Sequence, residues 1–172
     1  MGAGKILVII GAILSILGTY VFAIYGSTGI VGSGIGFVLN TFGAGVADPT
    51  LIAGAALYAG AMSIEIYLYY ILLIVFLVFL VSGILQFVGV KSRAVGLIFS
   101  LFPLGVGIMF LLLFYTEILG LISGLFGMFF IGEQFGNIFP VLIDIGSGTG
   151  LGAFFLVGGG ALGLIGSILP RD

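Results

Sequence analysis

The chain has no cysteine, no histidine and no tryptophan, and among its 172 residues only four are basic and six acidic. Each shortage excludes some chemistry. Without Cys or His there are no disulfides, no thiolate or imidazole metal sites, and no Cys–His or Ser–His nucleophile. Four bases cannot form a nucleic-acid surface, where affinity comes from many Lys and Arg contacts to phosphate. Charged residues are 6% of the chain, against about 25% in a soluble domain. That is too few to cover a soluble fold. Disorder is excluded as well, because it needs low hydrophobicity and high charge. What is present is 62% hydrophobic residues at a mean hydropathy of +1.49. This is the composition of an integral membrane protein. Neither catalysis by this chain nor a bound cofactor or metal is expected.

A spanning helix needs about 20 apolar residues. Four stretches qualify: residues 6–25, 66–90, 94–116 and 148–169. The first follows Lys5 and in that respect resembles a secretory signal. It is longer than a signal's apolar core, and no good Ala-x-Ala site follows it, so a retained helix is expected. The expected fold class is an all-α integral membrane protein of one domain. Its four helices are joined by an inner loop at 91–93 and by two apolar, glycine-rich outer connections, 26–64 and 117–147, with short helical or re-entrant segments.

The charges orient these spans. Lys5, Lys91, Arg93 and Arg171 all fall at one kind of helix end, which the positive-inside rule makes cytoplasmic. Both termini are then inside. Asp48, Glu65, Glu117, Glu133 and Asp144 fall in or beside the outer connections. Glu65 to Lys91 and Arg93 to Glu117 are each about 25 residues, roughly 37 Å of helix, or one hydrocarbon core plus part of the interfaces. The expected location is the plasma membrane of a prokaryote. Tyr20, Tyr25, Tyr67, Tyr69, Tyr70 and Tyr115 cluster at the outer ends, as a one-sided interfacial belt would.

The outer connections are long but not polar. The first contains Gly26 to Gly36, rich in Gly and Ser, then Asp48-Pro49, a good helix start. Residues 50–63 are therefore expected to be helical. The second has Gly120, Ser123, Gly124 and Gly127 at helical spacing, a break at 132–137, and the run Gly146-Ser-Gly-Thr-Gly150. Such apolar segments need covering by the membrane, by each other or by partner subunits.

Glycine contributes 32 residues, roughly 19% of the chain against a usual 7%. Gly11, Ser15 and Thr19 recur every four residues, as do Gly159, Gly163 and Ser167. Small residues at that spacing let helices approach closely where lipid supplies no hydrophobic drive. Pro103 interrupts the third span and is expected to kink it. Gln86 lies near the inner end of the second span and can hydrogen-bond across helices. The glycine runs lack the Gly-Lys-Ser/Thr ending of a phosphate loop. Glu65 and Glu117 are the candidate ion site, because carboxylates near a membrane are functional candidates.

Gly32-Ser-Gly-Ile-Gly, Ala47-Asp-Pro-Thr-Leu and Ile64-Glu-Ile-Tyr resemble fragments of rotary-ATPase proteolipid subunits. In that family a membrane-centre carboxylate carries the ion, which implies Glu65 as the carrier. The resemblance covers under a quarter of the chain. It would put Asp48 inside and Lys91 outside, against the charge rule. The four-pass plan with two outer loops also resembles claudin-type tetraspans in topology, without their Trp and Cys loop signature. The expected function is a non-catalytic structural subunit, packed with lipid and with copies of itself or other membrane subunits. The alternative is an ion or proton channel or transporter that uses Glu65 and Glu117.

Overall fold

The computed structural model describes residues 2–45 and 50–170, the side chains of 120–123 excepted. The chain is mostly helical, with four helices long and apolar enough to span a membrane, and it carries a small sheet. α1 (Ala3–Ile16) continues through one π-helical turn, Leu17–Val21. A hairpin follows, β1 (Tyr25–Ser27) and β2 (Ile30–Gly32), then the short helices α2 (Gly34–Phe42) and α3 (Ala55–Ala61). α4 (Ile66–Val88) and α5 (Arg93–Tyr115) form a long helical hairpin. After it come α6 (Gly120–Met128), β3 (Ile131–Glu133), β4 (Asp144–Gly146), β5 (Thr149–Gly150) and α7 (Leu151–Ile168).

The four long helices form a bundle in which α1 packs against α7 and α4, and α5 packs against α7 and α4. Neighbours run antiparallel. Gly4 N donates to Pro170 O at 3.3 Å, which joins the start of α1 to the end of α7. The α4–α5 turn lies at that same end, hereafter the loop end. The sheet and the short helices lie at the other, the sheet end.

The tightest packing follows glycine. A Cβ on Gly11 would lie 2.6 Å from Gly159 O and Gly163 N, and one on Gly159 would lie 2.6 Å from Ser15 Oγ. On its other side α7 meets α5: a Cβ on Gly160 would lie 2.6 Å from Leu104 N. α7 thus brings its backbone against two neighbours at once. Pro103 is buried inside α5, which continues on both sides of it.

The expectation of an all-α chain fails at the glycine runs. They form a five-stranded sheet in the order β3-β2-β1-β5-β4 with antiparallel pairing. Gly26 pairs with Val31 across a two-residue turn at Thr28 and Gly29. In the second hairpin the turn residues Ser147 (φ 56°) and Gly148 (φ 77°) are both left-handed, as a type I′ turn requires. Gly32 has a different role. A Cβ there would collide with the Tyr25 ring at 1.9 Å, so only glycine lets that ring lie across the neighbouring strand.

Several expected boundaries move for the same reason. The first span ends at Val21 rather than 25, because Tyr25 belongs to β1. The last begins at Leu151 rather than 148, because Thr149 and Gly150 are paired in β5. The helix expected at 50–63 is limited to Ala55–Ala61, with Ser63 at φ 54° separating it from α4. The proposed start at Asp48-Pro49 lies outside the described residues.

Both connections fold back along the bundle. Phe76 lies ten residues into α4, about 15 Å from its start. Its ring meets those of Phe37, Phe126, Phe129 and Phe130, at centroid distances from 5.1 to 6.2 Å. Phe37, Phe129 and Phe130 are fully buried. The apolar connections thus make an aromatic core with α4 and α5.

The glycine seam makes an unequal prediction for two alanine substitutions. Gly11→Ala places a methyl group against unyielding backbone, and overpacking of that kind costs about 2–3 kcal/mol. Gly105 has open space at its Cβ position, so Gly105→Ala is expected to be neutral or to add up to about 1 kcal/mol of helix propensity. Unfolding free energies in detergent should rank the pair in that order.

Candidate functional site

The residues expected to pack the helices lie along one seam. Gly11, Ser15 and Thr19 of α1 are buried, as are Gly159, Gly163 and Ser167 of α7. Thr19 Oγ1 donates to Ser15 O at 2.7 Å. Lys5, Lys91 and Arg93 all lie at the loop end, with Lys91 and Arg93 exposed. Arg171 lies outside the described residues.

The carboxylates are dispersed. Glu65 is the residue that precedes α4, and Glu117 follows the end of α5; both are exposed. Glu133 on β3 and Asp144 on β4 are exposed too. Asp144 Oδ1 accepts from Gly146 N at 2.8 Å, a local turn contact. Asp48 lies outside the described residues. Among the described residues no three acidic side chains come together in a way that could hold a metal. Glu65 stands at a helix end, not at a helix middle where the proteolipid resemblance would place an ion carrier.

The tyrosines divide into two groups. Tyr67, Tyr70 and Tyr115 are exposed at the sheet end, where a belt would put them. Tyr69 is fully buried and donates to Leu51 O at 2.5 Å, anchoring the segment before α3 to α4. Tyr25 donates to Gly127 O and joins β1 to α6. Burial pushes the Tyr25 phenol above its ordinary range. Tyr20 reaches Leu80 O at 2.5 Å.

Two amides hold the connections together. Asn40 of α2 is fully buried. Its Nδ2 donates to Phe129 O at 3.2 Å and to Ile131 O at 2.8 Å. Those carbonyls lie where α6 gives way to β3, so Asn40 satisfies backbone that the helix end would leave bare. Gln134 spans the tip of the first hairpin and the loop before β4. Its Oε1 accepts from Gly29 N at 3.1 Å, and its Nε2 donates to Pro140 O at 2.8 Å. Neither role is visible locally in sequence, because the Asn40 partners and Gly29 lie about 90 to 105 residues from the amides that bind them.

Two of the hollows among the described residues lie against the connections. A groove of about 500 Å³ between α4, α5 and α6 is lined by apolar side chains such as Leu72, Phe76, Leu101, Met109 and Phe126. A second hollow, of about 410 Å³ at the sheet end, has Glu133 and Gln134 among its walls. Compared with protein families, curated proteins and solved structures, the chain has no match in any of the three.

Removing the Asn40 amide leaves two buried carbonyls without their donor. Asn40→Leu should therefore cost about 2–3 kcal/mol of stability. Hydrogen exchange should quicken across 129–133 before it does in α4 or α5. Uniform loss of protection would show that Asn40 does not hold this segment in particular.

Proposed function

We propose that the protein is a small, non-catalytic four-pass membrane subunit that packs into a homo-oligomer or a larger membrane complex. Its termini face the cytoplasm of a prokaryote, and its loop end carries the basic residues. The carrying observation is apolar exposure outside the four long helices. Phe42, Leu57, Ile118, Phe135 and Ile138 are each more than half exposed, and all lie on the connections. Ile30 is also exposed. It lies beside the 134–140 segment, because Gln134 bonds to the adjacent Gly29. Large apolar surface of this kind marks contact with protein or lipid. Exposed Glu133 and Asp144 lie on the same connections, which favours protein. The basic loop end and the acidic sheet end support the orientation.

Native mass measurement from mild detergent tests this reading. The wild type should appear as a defined species several-fold heavier than the 17.7 kDa chain. Ile138→Asp, at an exposed position, should shift it towards the monomer without loss of helicity. A wild-type monomer with no co-purifying chain would refute assembly. Proton or cation flux into vesicles that disappears in Glu65→Gln would replace the subunit reading with a transport one.

A further inference from the structure

Near the loop-end half of the bundle, four helices bring polar side chains within about two helical turns of one another along α7. Gln86 of α4 is fully buried, and neither its Nε2 nor its Oε1 has a hydrogen-bond partner. The Oγ atoms of Ser15 on α1 and Ser167 on α7 are likewise buried and unpartnered. Ser100 of α5 donates to Gly96 O at 2.6 Å, which leaves its oxygen able to accept.

Gly163 lies against two of these groups, Ser100 and Gln86. A Cβ there would lie 2.3 Å from Ser100 Oγ and 3.2 Å from Gln86 Nε2. One turn along α7, a Cβ on Gly159 would lie 2.6 Å from Ser15 Oγ. Ser15 also faces α4, with its Cβ 3.3 Å from the Cβ position of Gly83, three residues before Gln86. Ser167 is one turn beyond Gly163 on the same face of α7. The close approach at these glycines thus sets the hydroxyls around a carboxamide that offers two donors and an acceptor.

An unpaired buried amide is costly, and buried polar groups without protein partners are characteristically met by internal water making two to four hydrogen bonds. We infer that Gln86, Ser15, Ser100 and Ser167 form an internal hydration site that links all four long helices. The chemistry selects a small neutral ligand. Every group in the set is uncharged, and Nε2 directs donors inward, which suits water and opposes a cation. The inference is independent of the assembly reading, because the site is enclosed within one chain.

The sequence makes the test clean, since Gln86 and Gln134 are its only glutamines. Side-chain ¹⁵N-glutamine labelling therefore gives two carboxamide signals in lipid bilayers. Gln134→Glu removes one and assigns the other to Gln86, leaving the bundle core intact. Water-edited solid-state NMR should show transfer from water protons to Gln86 Nε2, although its protons exchange slowly with bulk D₂O. The signal should not move when sodium is replaced by potassium or choline. Absence of transfer to Gln86 would show a dry site and overturn the inference. A cation-dependent shift of the Gln86 signal would overturn it too, by showing an ion where water is expected.

Discussion

Backbone-to-backbone contact along α7 is the constraint on which the arrangement depends. Between apolar helices in lipid, burial supplies little net drive, so association depends on dispersion and on how closely the helices approach. Gly159 and Gly163 bring α7 against Gly11 and Ser15, and Gly160 brings it against Leu104. Gly152 meets the carbonyls of Phe22 and Ala23 where α1 has just ended. A helix lined on two sides by such contacts fixes both α1 and α5. α4 then closes the ring with bulkier side chains, and Gly83 is its point of close approach, against Ser15 and Ile16.

That arrangement creates a gap which the connections fill. α1 stops at Val21, near the place where Tyr20 reaches Leu80 O. Leu80 lies 14 residues into α4, so roughly 21 Å of α4 extends past this point towards the sheet end. No long helix covers that stretch on the α1 side. The hairpin, α2 and the end of α6 occupy the corner instead, with Phe37 and Phe130 against Phe76 and Phe79. Irregular backbone placed there must find internal partners. Ala23 N donates to Val141 O, Gly150 N to Ile24 O and Ser33 N to Phe130 O. The small sheet is the consequence, because extended pairing satisfies the backbone where no helix can continue.

This explains which parts of the fold were legible in the sequence. Runs of 18 to 23 apolar residues between isolated charges have only one economical reading, and their ends lie within a few residues of those expected. Strands of two or three residues have no period to detect. Gly26-Ser-Thr-Gly and Gly146-Ser-Gly-Thr-Gly therefore look like loops until their pairing is seen. The tyrosine signal was ambiguous for a physical reason. A phenol wants an apolar surround and one polar partner. A membrane interface would supply that to exposed Tyr67 and Tyr115, and a buried carbonyl supplies it equally well to Tyr69 and Tyr25. Of the candidate ion site, only the position of Glu65 and Glu117 at helix ends was legible. What either carboxylate faces depends on surroundings beyond this chain.

The same logic separates the interior polar groups. Thr19, Thr41, Ser82 and Ser100 return their hydroxyls to carbonyls three or four residues back in their own helices. That costs nothing in tertiary specificity and fixes nothing across helices. Asn40, Gln134 and the buried tyrosines reach distant backbone instead. Each of them ties a connection to the bundle. Side chains that bond distant backbone rather than their own helix therefore set the tertiary arrangement wherever helix packing alone leaves it open. Among the described residues, Gln86 is the long amide for which neither solution is realised within the chain. Its Nε2 lies beside Gly163 of α7, next to Ser100 of α5, so a partner there bears on the contacts among α4, α5 and α7 together.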